Sequence, residues 1–138
     1  MSRFVISIRG EKLTLVSIAV CVRNGKDWIN GCMESLVNQT HKTTEIILVD
    51  DGSTDGGREI VKKWASHDNV ITILQEAKGL SSGRMAALEI AKGDWFAITD
   101  IDVRPEANWI ESLLDSSVSR EGENVVAVTG RTVFGRSD

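Results

Sequence analysis

Residues 46–55 read IILVDDGSTD, an apolar, β-branched run that closes in two carboxylates and then breaks into a Gly-Ser-Thr turn. Such a run predicts a buried strand that delivers Asp50 and Asp51 to one end of a sheet. In open α/β sheets that end is where ligands bind. Residues 95–102, WFAITDID, repeat the arrangement, and a second strand presents Asp100 and Asp102. Two acidic strand ends in one small domain point to a cation-dependent site for a polar, phosphorylated ligand.

Strand-like runs recur at 15–22, 45–49, 70–74, 95–99 and 125–129, with helical patterns between most of them. The alternation predicts βαβ units and an α/β fold around a mostly parallel sheet. Between the first two strands Ile29, Cys32, Met33, Leu36 and Val37 repeat at i, i+3, i+4, i+7 and i+8, the core-facing stripe of a helix. Ser53 or Thr54 is expected to cap a helix that turns Ile60, Val61 and Trp64 inward. Ser81 or Ser82 is expected to cap another that buries Met85, Leu88 and Ala91. Pro105, the single proline, suits the first turn of a helix packing Trp109, Ile110, Leu113 and Leu114. Residues 1–12 read either as a short edge strand through Phe4, Ile6 and Ile8 or as a tail.

At 138 residues and 41% hydrophobic content the chain has the material for one domain, 1–138, with one core. Its net charge of −4 and pI of 5.2, with charges scattered along the chain, argue against a nucleic-acid partner. The longest apolar run, LTLVSIAVCV at 13–22, falls short of the roughly 18 residues of a membrane span and reads as a buried strand. FVISI, between Arg3 and Arg9, is too short for a signal-peptide core, so a cytoplasmic location is expected. Cys21 and Cys32 match neither a CxxC redox motif nor a zinc site and read as two buried thiols. His41 and His67 sit in polar segments and read as solvated loop residues.

Asp100-Ile101-Asp102 carries the sharpest chemistry. In an extended segment residues i and i+2 project to one side, so both carboxylates can face one ligand. That pair suits a hard divalent ion, Mn²⁺ or Mg²⁺, which keeps waters, takes phosphate oxygens and neutralises a diphosphate as it leaves. Asp-x-Asp also arises by chance, and acidic loop residues are usually solvated or capping. Asp50 and Asp51 carry the same bland reading, an Asx turn or a helix cap. Ser53, Thr54 and Asp55 are available for capping, however, which leaves the pair free to accept from a base N–H or a ribose hydroxyl. Neither GxGxxG nor GxxxxGK[ST] is present, so a metal-bridged diphosphate is the natural solution for phosphate binding.

In order along the chain, VSIAVCVRNGKDWINGCMESLVNQT (16–40), EIILVDDGSTDGGREIVKKWA (45–65), KGLSSGRMAALEIAKGDWFAITDID (78–102) and PEANWIESLL (105–114) resemble the amino-terminal half of the family 2 glycosyltransferases. The resemblance implies the glycosyltransferase-A fold: a Rossmann-like, doubly wound parallel sheet with helices on both faces. It further implies a nucleotide-diphosphate-sugar donor, commonly a UDP-sugar, bound with Mn²⁺ or Mg²⁺, and a carbohydrate or lipid-linked acceptor at the cytoplasmic face of a membrane. Carried over by position, Cys21, Arg23 and Asn24 lie in the loop beside the nucleotide. Asp51 contacts the base, Arg84 sits near the nucleotide or its phosphates, Asp100 lies near the ribose, and Asp102 holds the metal with Asp100. This chain departs from the family pattern in reading CVRN where Pro, and often Tyr or Arg, is usual, and in having Met85 where Asn often follows the arginine.

In inverting members the general base is a carboxylate well beyond the metal triplet, so the chain is expected to be truncated, a donor-binding half. Glu121 and Glu123 are the last glutamates and neither is assigned as base. Three function classes compete: an inverting sugar transferase, a non-catalytic donor-binding module completed by a second half, and a phosphoacceptor receiver domain. The third is disfavoured, because a receiver's acidic pair closes its first strand. A sheet edge near residue 130 is the expected place for homo-oligomer contacts.

Overall fold

The computed structural model describes residues 4–6, 12–118 and 127. Strands β1 (Phe4–Ile6) and β2 (Lys12–Thr14) pair antiparallel, with Val5 opposite Leu13. Within residues 1–12 the strand Phe4–Ile6 thus pairs in a separate ribbon rather than at an edge of the main sheet, and Ile8 lies outside the described residues. The main sheet holds β3 (Val16–Val22), β4 (Thr44–Asp51), β5 (Val70–Gln75) and β6 (Trp95–Asp100) in the order β5-β4-β3-β6, all parallel. Four helices follow: α1 (Lys26–Val37), α2 (Gly57–Trp64), α3 (Leu80–Ile90) and α4 (Trp109–Val118). The fifth expected strand, 125–129, lies apart from Ala127 outside the described residues, as does the sheet edge near residue 130.

Right-handed crossovers place the helices. The chain steps outward from β3 to β4 to β5 through α1 and α2, then returns through α3 to add β6 on the other side of β3. Reversing the direction of growth puts α3 on the opposite face. The core accordingly divides in two. Ile18, Val20, Ile46 and Leu48 pack against Ile29, Cys32, Met33 and Leu36 of α1, with Val61 of α2 and Ile110 of α4. Ala19, Ile47 and Val49 pack against Ala87 of α3. β3 and β4 are buried on both faces, which is why they read as continuous apolar runs.

Several local expectations are corrected. The N-caps of α2 and α3 are Gly56 and Gly79, both at positive φ, rather than Ser53, Thr54, Ser81 or Ser82; Asp55 Oδ1 accepts from the N–H of Gly57 at the start of α2, and Ser81 and Ser82 lie inside α3. The face that α3 turns inward is Gly83 and Ala87, so Met85 and Leu88 stand 54% and 47% exposed rather than buried. Small residues win there because the helix backbone lies close over the sheet; a Cβ on Gly83 would come 3.0 Å from Cys21 Sγ. Pro105 precedes α4, which starts at Trp109, instead of occupying its first turn.

At the end of the sheet remote from the acidic residues, Ser17 is fully buried in β3 and its polarity is answered locally. Its hydroxyl donates to Glu45 Oε1 (2.5 Å) and accepts from Gly93 N–H (2.8 Å), while Lys92 N–H donates to the same Glu45 oxygen (2.6 Å). Asp94 Oδ2 accepts from Leu15 N–H. These bonds tie the α3–β6 turn to the starts of β3 and β4. A Cβ at Gly93 would lie 2.5 Å from Ser17 N and 2.7 Å from Trp95 O. Gly93→Ala is therefore expected to lower stability by about 1–3 kcal/mol, read as an earlier midpoint in urea denaturation.

Candidate functional site

The carboxyl ends of β4, β3 and β6 meet where the order of strand addition reverses, between β3 and β6. Ligands bind in such crevices. Cys21 lies level with Asp100 on one side and with Val49 on the other. Side chains alternate across a strand, so Cys21, Asp100 and Asp51 all emerge on the α3 face and Asp50 on the other.

Alternation separates the two adjacent aspartates. Asp50, expected to point at a ligand, is fully buried beneath α2, where its Oδ2 accepts from Arg58 Nε at 2.7 Å and its oxygens face Ser53 N–H at 3.3 and 3.4 Å. Arg58 continues to the carbonyl of Gln75. Asp50 thus anchors α2 and the end of β5. A fully buried carboxylate must be paired or hydrogen-bonded, and Arg58, eight residues on, is the available signal for a partner.

Asp51 is 3% exposed, and its Oδ1 accepts from Gln75 Nε2 (2.8 Å) and Lys78 N–H (2.8 Å), its Oδ2 from Gly79 N–H (2.9 Å). The Gln75 amide, with the two backbone donors and the nearby Arg23 charge, holds its carboxyl below the ordinary value of 3.8. These bonds fold the 75–79 segment around the carboxylate and set the start of α3.

One turn into α3, Arg84 Nη2 donates to Asp100 Oδ1 at 3.2 Å. Cys21 sits between these groups, half-buried against Gly83, and burial pushes its thiol up to about 11. It is accordingly a neutral packing group at the floor of the site. Cys32 is the fully buried thiol expected, on the far side of the sheet. Asn24, at φ 53°, uses its Oδ1 to accept from Thr54 N–H (2.7 Å) and its own N–H to donate to Ser53 Oγ (3.0 Å). It ties the β3–α1 loop to the β4–α2 loop. Asp55 continues that tie, accepting from Lys26 and Gly57 N–H groups, which hold its carboxyl below its ordinary value.

The Asp-x-Asp triplet is not extended. β6 ends at Asp100, and Val103 N–H donates back to the Asp100 carbonyl (3.1 Å), so Ile101 and Asp102 form the middle of a turn. Asp102 is exposed, and the Asp100 side chain is 62% exposed. Among the described residues no three His, Cys, Asp or Glu side chains cluster as a ready ligand set. Two accessible carboxylates without a third protein ligand fit an ion that keeps several waters and takes phosphate oxygens. Of the expected site residues, Cys21, Asp51, Arg84 and Asp100 gather on one face, with Arg23, Asn24 and Asp102 on the loops above them.

The profile of glycosyl transferase family 2 matches residues 17–137. The chain belongs to that family. As a family 2 glycosyltransferase chain it is 34% identical over 114 residues to glycosyltransferase GlyG of Streptococcus pneumoniae, covering 81% of this chain and 38% of GlyG. It is 39% identical over 90 residues to the Escherichia coli enzyme WfaP, a UDP-Glc:alpha-D-GlcNAc-diphosphoundecaprenol beta-1,3-glucosyltransferase, covering 65% of this chain and 36% of WfaP. The chain thus spans well under half the length of these relatives. In fold it superimposes on the mannosyltransferase PcManGT of Pyrobaculum calidifontis, solved with GDP-Man and Mn²⁺, at a TM-score of 0.69 and 24% identity, over 75% of this chain and 32% of that one. The glycosyltransferase-A fold expected from the motifs is the fold observed.

Because Asp51's pKa is lowered by folding, its contribution is fully present above the ordinary carboxylate range and is lost as pH falls below about 4. Asp51→Asn is expected to cost about 1–3 kcal/mol at pH 7, through three donors left facing an amide, and to flatten the acid limb of a stability-against-pH curve.

Proposed function

We propose that this chain binds the donor in a transferase that moves a sugar from a nucleotide diphosphate, UDP in the first instance, to an acceptor hydroxyl. The observation that carries this reading is the gathering of Asp51, Asp100 and Arg84 on one face at the switch point, with Asp102 on the turn beyond. A carboxylate offers about four lone-pair sites, and this chain's own donors take three of Asp51's, which leaves one for a base N–H. Arg84, already hydrogen-bonding an anion, supplies cationic donors to the nucleotide or its phosphates, and Asp100 accepts from the ribose. Arg23, Asn24 and Cys21 line the loop and floor beside the nucleotide.

Asp102 and Asp100 would hold Mn²⁺ or Mg²⁺, which supplies charge neutralisation for the departing diphosphate. In the reaction the acceptor oxygen bonds to the anomeric carbon as the bond to the diphosphate oxygen breaks, and the acceptor proton passes to a base. None of the site carboxylates is assigned that role, and Glu121 and Glu123 lie outside the described residues. A carbohydrate or lipid-linked acceptor met at the cytoplasmic face of a membrane fits this chemistry. Among the described residues no helix is long and apolar enough to cross a membrane.

WfaP is named for a UDP-sugar and PcManGT was solved with a GDP-sugar, so both nucleotides belong in the test. Calorimetric titration of UDP and then GDP, with and without Mn²⁺, is expected to show metal-dependent binding of one of them. Asp102→Ala is expected to abolish the metal dependence. Arg84→Gln is expected to weaken nucleotide binding about tenfold, the equivalent of 1.4 kcal/mol. Failure of both nucleotides to bind the folded chain would sink the reading.

A further inference from the structure

Arg104 lies two residues beyond Asp102, and its side chain turns back across α1. A Cβ at Gly31 would fall on its Nη2, 2.6 Å from Nε and 2.8 Å from Cζ, so the guanidinium occupies the space that a side chain at position 31 would fill. Its Cζ stands 5.9 Å from the centre of the Trp28 ring, three residues earlier on the same face of α1. The next residue, Cys32, directs its thiol to the Asp100 carbonyl (Sγ–O 3.7 Å). At the start of α1, Ile101 Cγ2 lies 3.5 Å from where a Cβ on Gly25 would be, and Ile101 packs against the main core. Asp102 is therefore bracketed: Cys32 and the Ile101 packing hold the turn before it, and Arg104, seated between Gly31 and Trp28, holds the chain after it.

On the reading that Asp100 and Asp102 hold the metal, we infer that Arg104 is a positioning residue, a clasp that seats the Asp100–Val103 turn on α1 through the notch at Gly31. Arg104 is itself exposed, and its contacts are with Gly31 and Trp28 of α1. Its action is on the placement of Asp102, which sits mid-turn and has no strand to hold it. A planar guanidinium can lie flat in the notch and over the indole, and a lysine ammonium cannot.

Three variants of the full chain test this. Gly31→Leu fills the notch while raising helix propensity, Arg104→Ala removes the clasp, and Arg104→Lys keeps only the charge. Two quantities are read: amide exchange at Val103 in the metal-free chain, and the ratio of UDP or GDP dissociation constants without and with Mn²⁺. Faster Val103 exchange is expected in all three, with a roughly tenfold loss of the metal-dependent enhancement, the scale of lost support behind a metal ligand. Nucleotide affinity without metal should be unchanged, and the melting temperature of Gly31→Leu no lower than that of the parent. Unchanged Val103 exchange in Gly31→Leu and Arg104→Ala would overturn the clasp, as would full retention of function by lysine. If the parent shows no metal-dependent binding, the proposed function fails, and Val103 exchange still decides the clasp.

Discussion

Two adjacent carboxylates end one fully buried strand, and neither can remain there uncompensated. Asp50 meets the Arg58 guanidinium under α2, and Asp51 draws in the Gln75 amide and the backbone N–H groups of Lys78 and Gly79. The cost of desolvating an unpaired charge exceeds that of ordering the loops that answer it. Those loops are consequently folded by the aspartates. α2 is fixed by one, the 75–79 segment and the start of α3 by the other, and through α3 the reach of Arg84 to Asp100.

Around this anchor the topology does the rest. A sheet that grows one way from β3 and then the other must leave a crevice at the reversal, and the register there sets Cys21 beside Asp100. β6 brings one carboxylate to the crevice and stops, so the second, Asp102, stands on a turn whose support comes from α1. Farther along the same connection the Glu106 carbonyl accepts from Gln39, 1% exposed and just past α1, and Ile110 N–H donates to Gln39 Oε1, which ties α4 to the end of α1. α1 and the two residues past its C-cap therefore support this connection at its start and at its end.

The four main strands, their parallel pairing and the helical stripe of α1 were legible because burial on both faces leaves an unbroken apolar signature in β3 and β4. The glycines that start α2 and α3 were not read as caps, since serine and threonine in the same segments offered a more familiar solution. The inward face of α3 differs from the expected one for a related reason. Hydropathy favours Met85 and Leu88, whereas the close approach of helix to sheet selects Gly83 and Ala87.

The linear order of residues by itself determined that acidic groups end the strands at 50–51 and 100, that the fold is a parallel α/β sheet, and that the family is one of glycosyltransferases. Only the tertiary structure decided which of those acids faces the crevice. Neighbouring residues in a strand point to opposite faces, so Asp50 and Asp51 acquire different environments, a separation that the residue pattern alone leaves open although the family resemblance implies a contact only for Asp51. Likewise Gln75 reaches Asp51 only once β5 pairs with β4, and Arg104 reaches Gly31 and Trp28 only once the turn after β6 packs on α1. A string of residues does not display which charges it will bury together.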